Sequence, residues 1–448
     1  MTRLKFIDNI SGLQAVQLLR FATFLIISIV FTKSHLSRPQ IGNWELFLFI
    51  SSLLSFFWVT GIIQSLLTLY NSNRTFRNEA VTEDRKSPEI YNAFLLITFF
   101  SVLVFILGFL IRYTVLTPGG HTEIPYPNML LFYILLSNPV TLIEYIYLLN
   151  KRPHRILQYG IYTYAAQLLL VLAPVIAGFD EKSAIWGLLV ITAARWVWLI
   201  ILLRRYSVFK VSYDFIREHL KVGMPLILAF LISGSAQYVD GIIISARYAD
   251  PGVFAMYRYG AKEFPLVLLL ANGLSSALLP HFSTREGMRQ ALVTLRKRSD
   301  RLIKYLFPIS MATMLVARWI YPRLFTPEFT RSADVFMIYL LLIIPRLVFP
   351  QTIIIGRRKT KITLIAAAVE IAVNIPLSLL LIRPYGVVGV ALATFIVYFL
   401  EKIFLMYYVW KKMKIRPAEY IPVVRWLVFS VLLMLLFVLI DHRIIDIH

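Results

Sequence analysis

Several ionisable residues stand inside stretches of sequence that are otherwise apolar and long enough to cross a bilayer. The cations are Arg20, Arg195, Lys262, Arg346 and Lys402, and the carboxylates are Glu144, Asp240, Glu370 and Glu401. Each costs about 2.5–3.5 kcal/mol on membrane-insertion scales, so each is a candidate for function. A guanidinium in such a place suits a phosphate, because it donates two parallel hydrogen bonds. Arg258 and Lys262, four residues apart, would share one face of a helix; they either meet an anion there or snorkel to the membrane surface. Arg20 lies within reach of cytoplasmic headgroups as well as of a buried anion. Arg346, between Pro345 and Pro350, either lines a cavity or satisfies a broken helix. Arg195, beside Trp196 and Trp198, reads as internal to its own lobe or interfacial rather than as a substrate contact. Among the acids, Asp240 and Glu370, with Asn374 one turn on, make a candidate site for a coupling ion, Na+ or H+. The other reading is that they are buried polar partners. Glu401 and Lys402 adjoin and should face different directions, as structural groups. Tyr133, Tyr145 and Tyr147 could stack on sugars, although interface anchoring also explains them.

The elements that position these residues follow from composition. The chain has 448 residues, 58% hydrophobic and 16% charged, with a mean hydropathy of +0.72. Soluble domains run about 45–50% apolar and about 25% charged, so a soluble architecture is excluded. Thirteen apolar runs approach the ~20 residues a bilayer requires, at about 12–32, 46–70, 91–111, 128–149, 156–177, 184–203, 221–246, 259–279, 302–325, 334–355, 362–382, 387–409 and 422–440. They are too long for transmembrane strands, and the expected class is an all-α polytopic membrane protein. Of the 46 Lys and Arg residues, thirty fall on the side of the N-terminus, eleven on the other side and five within spans. The rule that positive loops stay inside therefore puts the N-terminus in the cytoplasm and, with thirteen spans, the C-terminus outside. The excess of basic residues is thus a topological signal and gives no reason to expect nucleic acid. Met1–Ile10 is short and mixed, and no removed signal peptide is expected. The longest loops, Asn71–Glu89 and Phe282–Arg301, are too short for a folded domain, and Tyr113–Pro127 reads as an irregular external cap. With no cysteine there is no disulfide, thiolate metal site or thiol chemistry. No P-loop, Gly-x-Gly-x-x-Gly or His-Glu-x-x-His motif occurs.

The runs repeat. Spans one and two lie over seven and eight at an offset of 212, pairing Pro39 with Pro251 and Gly61 with Gly273. Spans five and six lie over eleven and twelve at an offset of 202, pairing Pro174 with Pro376, Gly187 with Gly389 and Thr192 with Thr394. Six spans per copy give both copies the same polarity, hence parallel repeats about an axis along the membrane normal. The expected layout is two six-helix lobes, 1–205 and 206–415, and an additional C-terminal helix in 416–448. A substrate site would lie between the lobes, which would rock to give alternating access.

Two stretches resemble a known group. Ala366–Tyr398 has an Asn-bearing helix, a loop Arg383-Pro384-Tyr385-Gly386, then Gly389 and Ala393-Thr394. Gly223–Tyr259 opens with Gly-x-Pro and carries Asp240 before an Ile run. Both are similar to the helices of polysaccharide (O-antigen-type) flippases of the multidrug/oligosaccharidyl-lipid/polysaccharide (MOP) exporter superfamily, whose lobes are MATE-like. Ser11–Tyr70 resembles the corresponding part of the first lobe. The resemblance implies a bacterial inner-membrane transporter, not an enzyme, that flips an undecaprenyl-diphosphate-linked oligosaccharide to the periplasmic leaflet by alternating access. It implies no cofactor, and its partners would be membrane lipid and polysaccharide-synthesis enzymes. Family members often carry cations on their first and eighth helices to receive the diphosphate, and Arg20, Arg258 and Lys262 match those regions. A drug/cation antiporter of the same superfamily is the alternative, which the intramembrane cations disfavour. A membrane-embedded polymerase or glycosyltransferase is another, which the short external loops and the lack of an Asp-x-Asp motif disfavour. The thirteenth span departs from the commoner twelve or fourteen.

Overall fold

Proline sets where many of the helices start. Pro88, Pro127, Pro153, Pro251, Pro265, Pro350 and Pro417 each open one, since proline lacks an N–H that the first turn would leave unpaired and its φ is already helical. The computed structural model describes residues 9–76, 86–111, 124–283, 285–357 and 359–442. Much of the loops Asn71–Glu89 and Tyr113–Pro127 and most of Met1–Ile10 lie outside them. Among the described residues the chain is all-helical apart from one isolated bridge between Ser87 and Ser207. Among the described residues ten helices are long and apolar enough to cross a membrane, or up to twelve when two bent pairs are each one span.

The chain divides into two compact units, residues 1–234 with 248–252, and residues 235–247 with 253–448. The first contains α1 (Asn9–Lys33), α2 (Arg38–Leu53), α3 (Phe56–Phe76), α4 (Pro88–Ile111), α5 (Pro127–Val140), α6 (Leu142–Leu149), α7 (Pro153–Ile176), α8 (Glu181–Tyr206) and most of α9 (Tyr213–Arg247). Its core joins Trp58, Ile62, Ile97, Ile143, Ile156 and Leu199. The two compact units divide inside α9. The reason is local packing. Ile227 presses on Gly61, Phe56 on Gly234, and the buried His219 donates from Nε2 to the Ile62 carbonyl at 2.9 Å. Asp180 caps α8 through the Ser183 amide. Next to that cap Glu181 accepts a 2.8 Å hydrogen bond from Tyr126, and burial together with this carboxylate holds the Tyr126 phenol above its ordinary range.

The second unit holds most of α10 (Pro251–Gly260), then α11 (Pro265–Leu278), α12 (Arg285–Leu324), α13 (Arg331–Leu341), α14 (Ile343–Arg346), α15 (Pro350–Gly356), α16 (Thr360–Tyr385), α17 (Val387–Met413), α18 (Pro417–Tyr420) and α19 (Val423–Asp441). The hairpins α7–α8 and α16–α17 are built alike. Pro174 and Pro376 sit inside their first helices. In each second helix a glycine meets the backbone of the first: a Cβ on Gly187 would lie 2.0 Å from the Leu170 carbonyl oxygen, and one on Gly389 would lie 2.1 Å from that of Leu381.

The expected eighth span, 259–279, is not one helix. It breaks at Ala261–Phe264 between α10 and α11. Pro265 pushes the residue before it out of the helical region, and Phe264 is extended at φ −62°, ψ 112°. The expectation that Arg258 and Lys262 share a helical face is corrected with it, because α10 ends at Gly260. The tenth span also breaks, after Arg346, where Phe349 takes a left-handed φ of 55° ahead of Pro350.

Candidate functional site

In the first unit the register of α1 against α7 is set by small residues. Gly160 accepts Val16, and Gly12 lies against Pro153. One turn on from that contact, Arg20 and Tyr164 therefore face each other. Arg20 donates from Nε to the Tyr164 hydroxyl at 2.6 Å and from Nη2 to Glu144 Oε1, also at 2.6 Å. Arg195, from α8, approaches the same tyrosine. Its guanidinium carbon is 5.2 Å from the ring centroid and that of Arg20 is 5.9 Å away. Arg195 Nη2 also donates to Gln167 Oε1 at 2.9 Å. Two donors beside this contact, Arg195 Nε and Gln167 Nε2, are buried and have no acceptor among the described residues. An unmet buried donor costs about 1–3 kcal/mol. Two cations, one carboxylate and two unmatched donors together favour an anion.

The second unit has two polar clusters. In one, Asp240 of α9 is buried and accepts from four side chains. Tyr257 OH donates to Oδ2 at 2.7 Å, Thr394 Oγ1 to the same oxygen at 2.5 Å, and Tyr339 OH at 3.3 Å. Asn374 Nδ2 donates to Oδ1 at 3.3 Å, while Asn374 Oδ1 accepts from Ser378. Asp240 and Asn374, 134 residues apart in sequence, are thus brought together. Glu370 is half-buried and, among the described residues, hydrogen-bonds to neither.

The other cluster joins the two broken spans. Arg346 donates to Glu263 from Nε at 3.1 Å and from Nη2 at 2.5 Å, a bidentate pair between the end of α14 and the break before α11. Its guanidinium lies 5.0 Å from the Tyr398 ring, and the Lys402 ammonium lies 4.5 Å from it. Lys402 also pairs with Glu401 at 2.7 Å, both side chains buried. The expectation that these neighbours face apart fails because the four-carbon lysine stem folds back. Gln351 donates to Glu401 at 3.0 Å. Arg258 sits in the last turn of α10, and Lys262 sits in the break with its ammonium 5.3 Å from the Tyr259 ring. Tyr147 accepts from Trp198 Nε1 at 3.0 Å, and Tyr133 packs on Phe47. No group of three or more acidic, His or Cys residues suited to a metal occurs among the described residues.

Sequence reasoning missed the Arg195–Tyr164–Gln167 contact and the pairing of Arg346 with Glu263. The spacing from Gln167 to Arg195 carries no signal, because a hairpin brings them together. The arginine pair could have been sought, since a buried cation in one span requires an anion from another.

The chain is similar in fold to several solved transporters. The structure titled lipid II flippase MurJ, inward closed conformation, superposes with a TM-score of 0.67 at 18% identity, covering 97% of this chain and 93% of that one. A MOP superfamily transporter from Pyrococcus furiosus gives 0.57 at 13%, with 90% and 93% covered. A MATE transporter from Vibrio cholerae gives 0.59 at 12%, with 90% and 95% covered. No curated protein matches the sequence. The model of the family "Lipid II flippase MurJ" matches residues 135–445. The MOP superfamily expected from the motifs stands, while the matched branch differs from that of the O-antigen-type flippases. Because that match takes in more than half of the chain, the protein belongs to the MurJ lipid II flippase family.

Proposed function

We propose that the chain moves a polyprenyl-diphosphate-linked saccharide across the bacterial inner membrane, with the peptidoglycan precursor lipid II as its substrate. Members of its family are transporters of lipid-linked precursors, not enzymes. The observation that carries the substrate reading is the first-unit cluster. Arg20 and Arg195 flank Tyr164, with buried Arg195 Nε and Gln167 Nε2 unmatched. A diphosphate supplies the acceptors these donors lack, and Glu144 holds the Arg20 side chain in place. Neither the diphosphate nor the sugars can cross hydrocarbon unaided, whereas the polyprenyl tail can remain in lipid. Arg258 and Lys262 are the second unit's proposed headgroup cations. Arg346, already neutralised by Glu263, is proposed to hold the broken helices together. Asp240 and Asn374, with Glu370 nearby, are proposed to bind the coupling ion, Na+ or H+. The three hydroxyl groups that meet Asp240 Oδ2 supply oxygens that suit either one.

A second reading, a surface-polysaccharide oligosaccharide on the same lipid diphosphate, is favoured by the motifs in Ala366–Tyr398. Complementation separates the two. Expressed in a bacterium depleted of its own lipid II flippase, the chain should restore growth and clear lipid II from the cytoplasmic leaflet. Failure there, with rescue of surface polysaccharide in a strain lacking its oligosaccharide flippase, would move the substrate to the second class.

A further inference from the structure

The second unit has a cavity that none of the clusters above uses. It lies between the first part of α12 and the α18–α19 corner, with a volume of about 1000 Å³. On α12 the lining residues Arg289, Leu292, Val293, Arg296 and Asp300 recur at helical spacing, so one face of that helix carries cations interleaved with aliphatic side chains. The opposite wall is Val424, Val428 and their neighbours at the start of α19, where Val424 is 77% and Val428 52% exposed. Their exposure leaves the cavity open along this aliphatic wall.

Charge in the cavity is unbalanced. Asp300 is neutralised by Arg425 and by Lys304, the latter at 3.1 Å. Glu419 is engaged at the backbone amide of Arg416, where it caps α18. Arg289, Arg296 and Lys297 line the cavity and have no ion-pair partner among the described residues. Three unmatched cations would hold a solvated anion only weakly, since screening is strong at a surface. Beside an apolar wall that continues into a lipid-facing helix, they fit a ligand that carries its phosphate at the end of hydrocarbon chains. The basic-loop count puts this end of α12 at the cytoplasmic face, where the leaflet is rich in such headgroups.

We propose that this cavity binds one anionic glycerophospholipid of the cytoplasmic leaflet, its phosphodiester on Arg289, Arg296 and Lys297 and its acyl chains along Val424 and Val428. The site is separate from the substrate cations and does not depend on which lipid-linked saccharide is moved.

Native mass spectrometry of the full-length protein in detergent tests this. The probes are dioleoylphosphatidylglycerol and dioleoylphosphatidylcholine added at equal concentration. The wild type should retain the anionic lipid at least fivefold over the zwitterionic one. The double reversal Arg296→Glu with Lys297→Glu, and separately Arg289→Glu, should remove that preference, whereas Lys361→Glu, at the exposed start of α16, should leave it intact. All four positions are exposed, and an unchanged melting temperature will verify folding. Equal retention of both lipids by the wild type, or an undiminished preference in both α12 variants, overturns the proposal. Displacement of the phosphatidylglycerol by millimolar glycerol 3-phosphate also overturns it, by making the site one for a soluble phosphate.

Discussion

Arg20 makes two of its hydrogen bonds to Tyr164 and Glu144 and leaves Nη1 without a partner among the described residues. A guanidinium held on one edge and open on the other is positioned to receive an anion without reorganising. Arg20→Ala should therefore cut transport at least tenfold, about 1.4 kcal/mol, while leaving protein abundance unchanged. Arg20→Lys should recover only part of the activity, because an ammonium cannot make the paired contact. Flipping assayed in proteoliposomes with a fluorescent polyprenyl-diphosphate saccharide reads both, and wild-type rates in Arg20→Ala would remove the headgroup role. Asp240 calls for a different test. Its carboxylate is the hub of four side-chain donors, so Asp240→Asn keeps the shape but loses the charge that a coupling cation or proton needs. Transport by that variant should no longer respond to an imposed Na+ or pH gradient, and an unchanged response would exclude Asp240 from coupling. Residue type alone singled out Arg20, Asp240 and Asn374 in the sequence. Their partners were not visible there, since Glu144 is 124 residues from Arg20 and Thr394 is 154 from Asp240.

At the level of elements, hydropathy located the spans well and their interruptions poorly. A sliding apolar run registers the mean character of 259–279 and passes over Phe264-Pro265, although a residue before proline is the local signal for a break. Breaks inside a membrane leave backbone groups that need partners and side chains that need neutralising. The second unit meets the latter need by tying one break to the other through Arg346 and Glu263. Removing one partner leaves the other charge unpaired in a partly buried site. Arg346→Ala should destabilise by about 2–3 kcal/mol, less than the 3–5 kcal/mol of a fully buried pair because both side chains keep some exposure. The double variant Arg346→Ala with Glu263→Ala should be more stable than the Arg346→Ala single, an interaction that a thermal-unfolding cycle in detergent measures. Additive losses would mean that the pair does not join the breaks. Gly389 offers a second element-scale test. Gly389→Ala places a methyl against the Leu381 carbonyl and must part α16 from α17, costing about 1–3 kcal/mol. An unchanged melting temperature would show that this hairpin is looser than its geometry.

For the whole molecule, topology turns on whether α10 and α11 together cross the membrane. Neither helix is long enough alone, with 10 and 14 residues. If they do not cross, the region 285–301, with its cluster of basic residues, lies outside and violates the charge rule more severely than any other segment. The C-terminal helix supplies an independent constraint. Arg425 pairs with Asp300 near one end of α19, and Arg318 donates to the Ile440 carbonyl near the other. From Asp300 to Arg318 along α12, and from Arg425 to Ile440 along α19, the chain runs the same way, so the two helices are parallel. Residues just before α12 enters the bilayer and residues just after α19 leaves it must then lie on opposite sides. The native chain has no cysteine, so single cysteines report each side cleanly. In intact cells a membrane-impermeant maleimide should label His35→Cys, in the α1–α2 turn, and His442→Cys, and should reach Arg298→Cys only after permeabilisation. Labelling of Arg298→Cys together with His35→Cys from outside would mean that α10 and α11 form a re-entrant pair, leaving twelve spans. Labelling of Arg298→Cys and His442→Cys from the same side would instead contradict the parallel packing of α12 and α19.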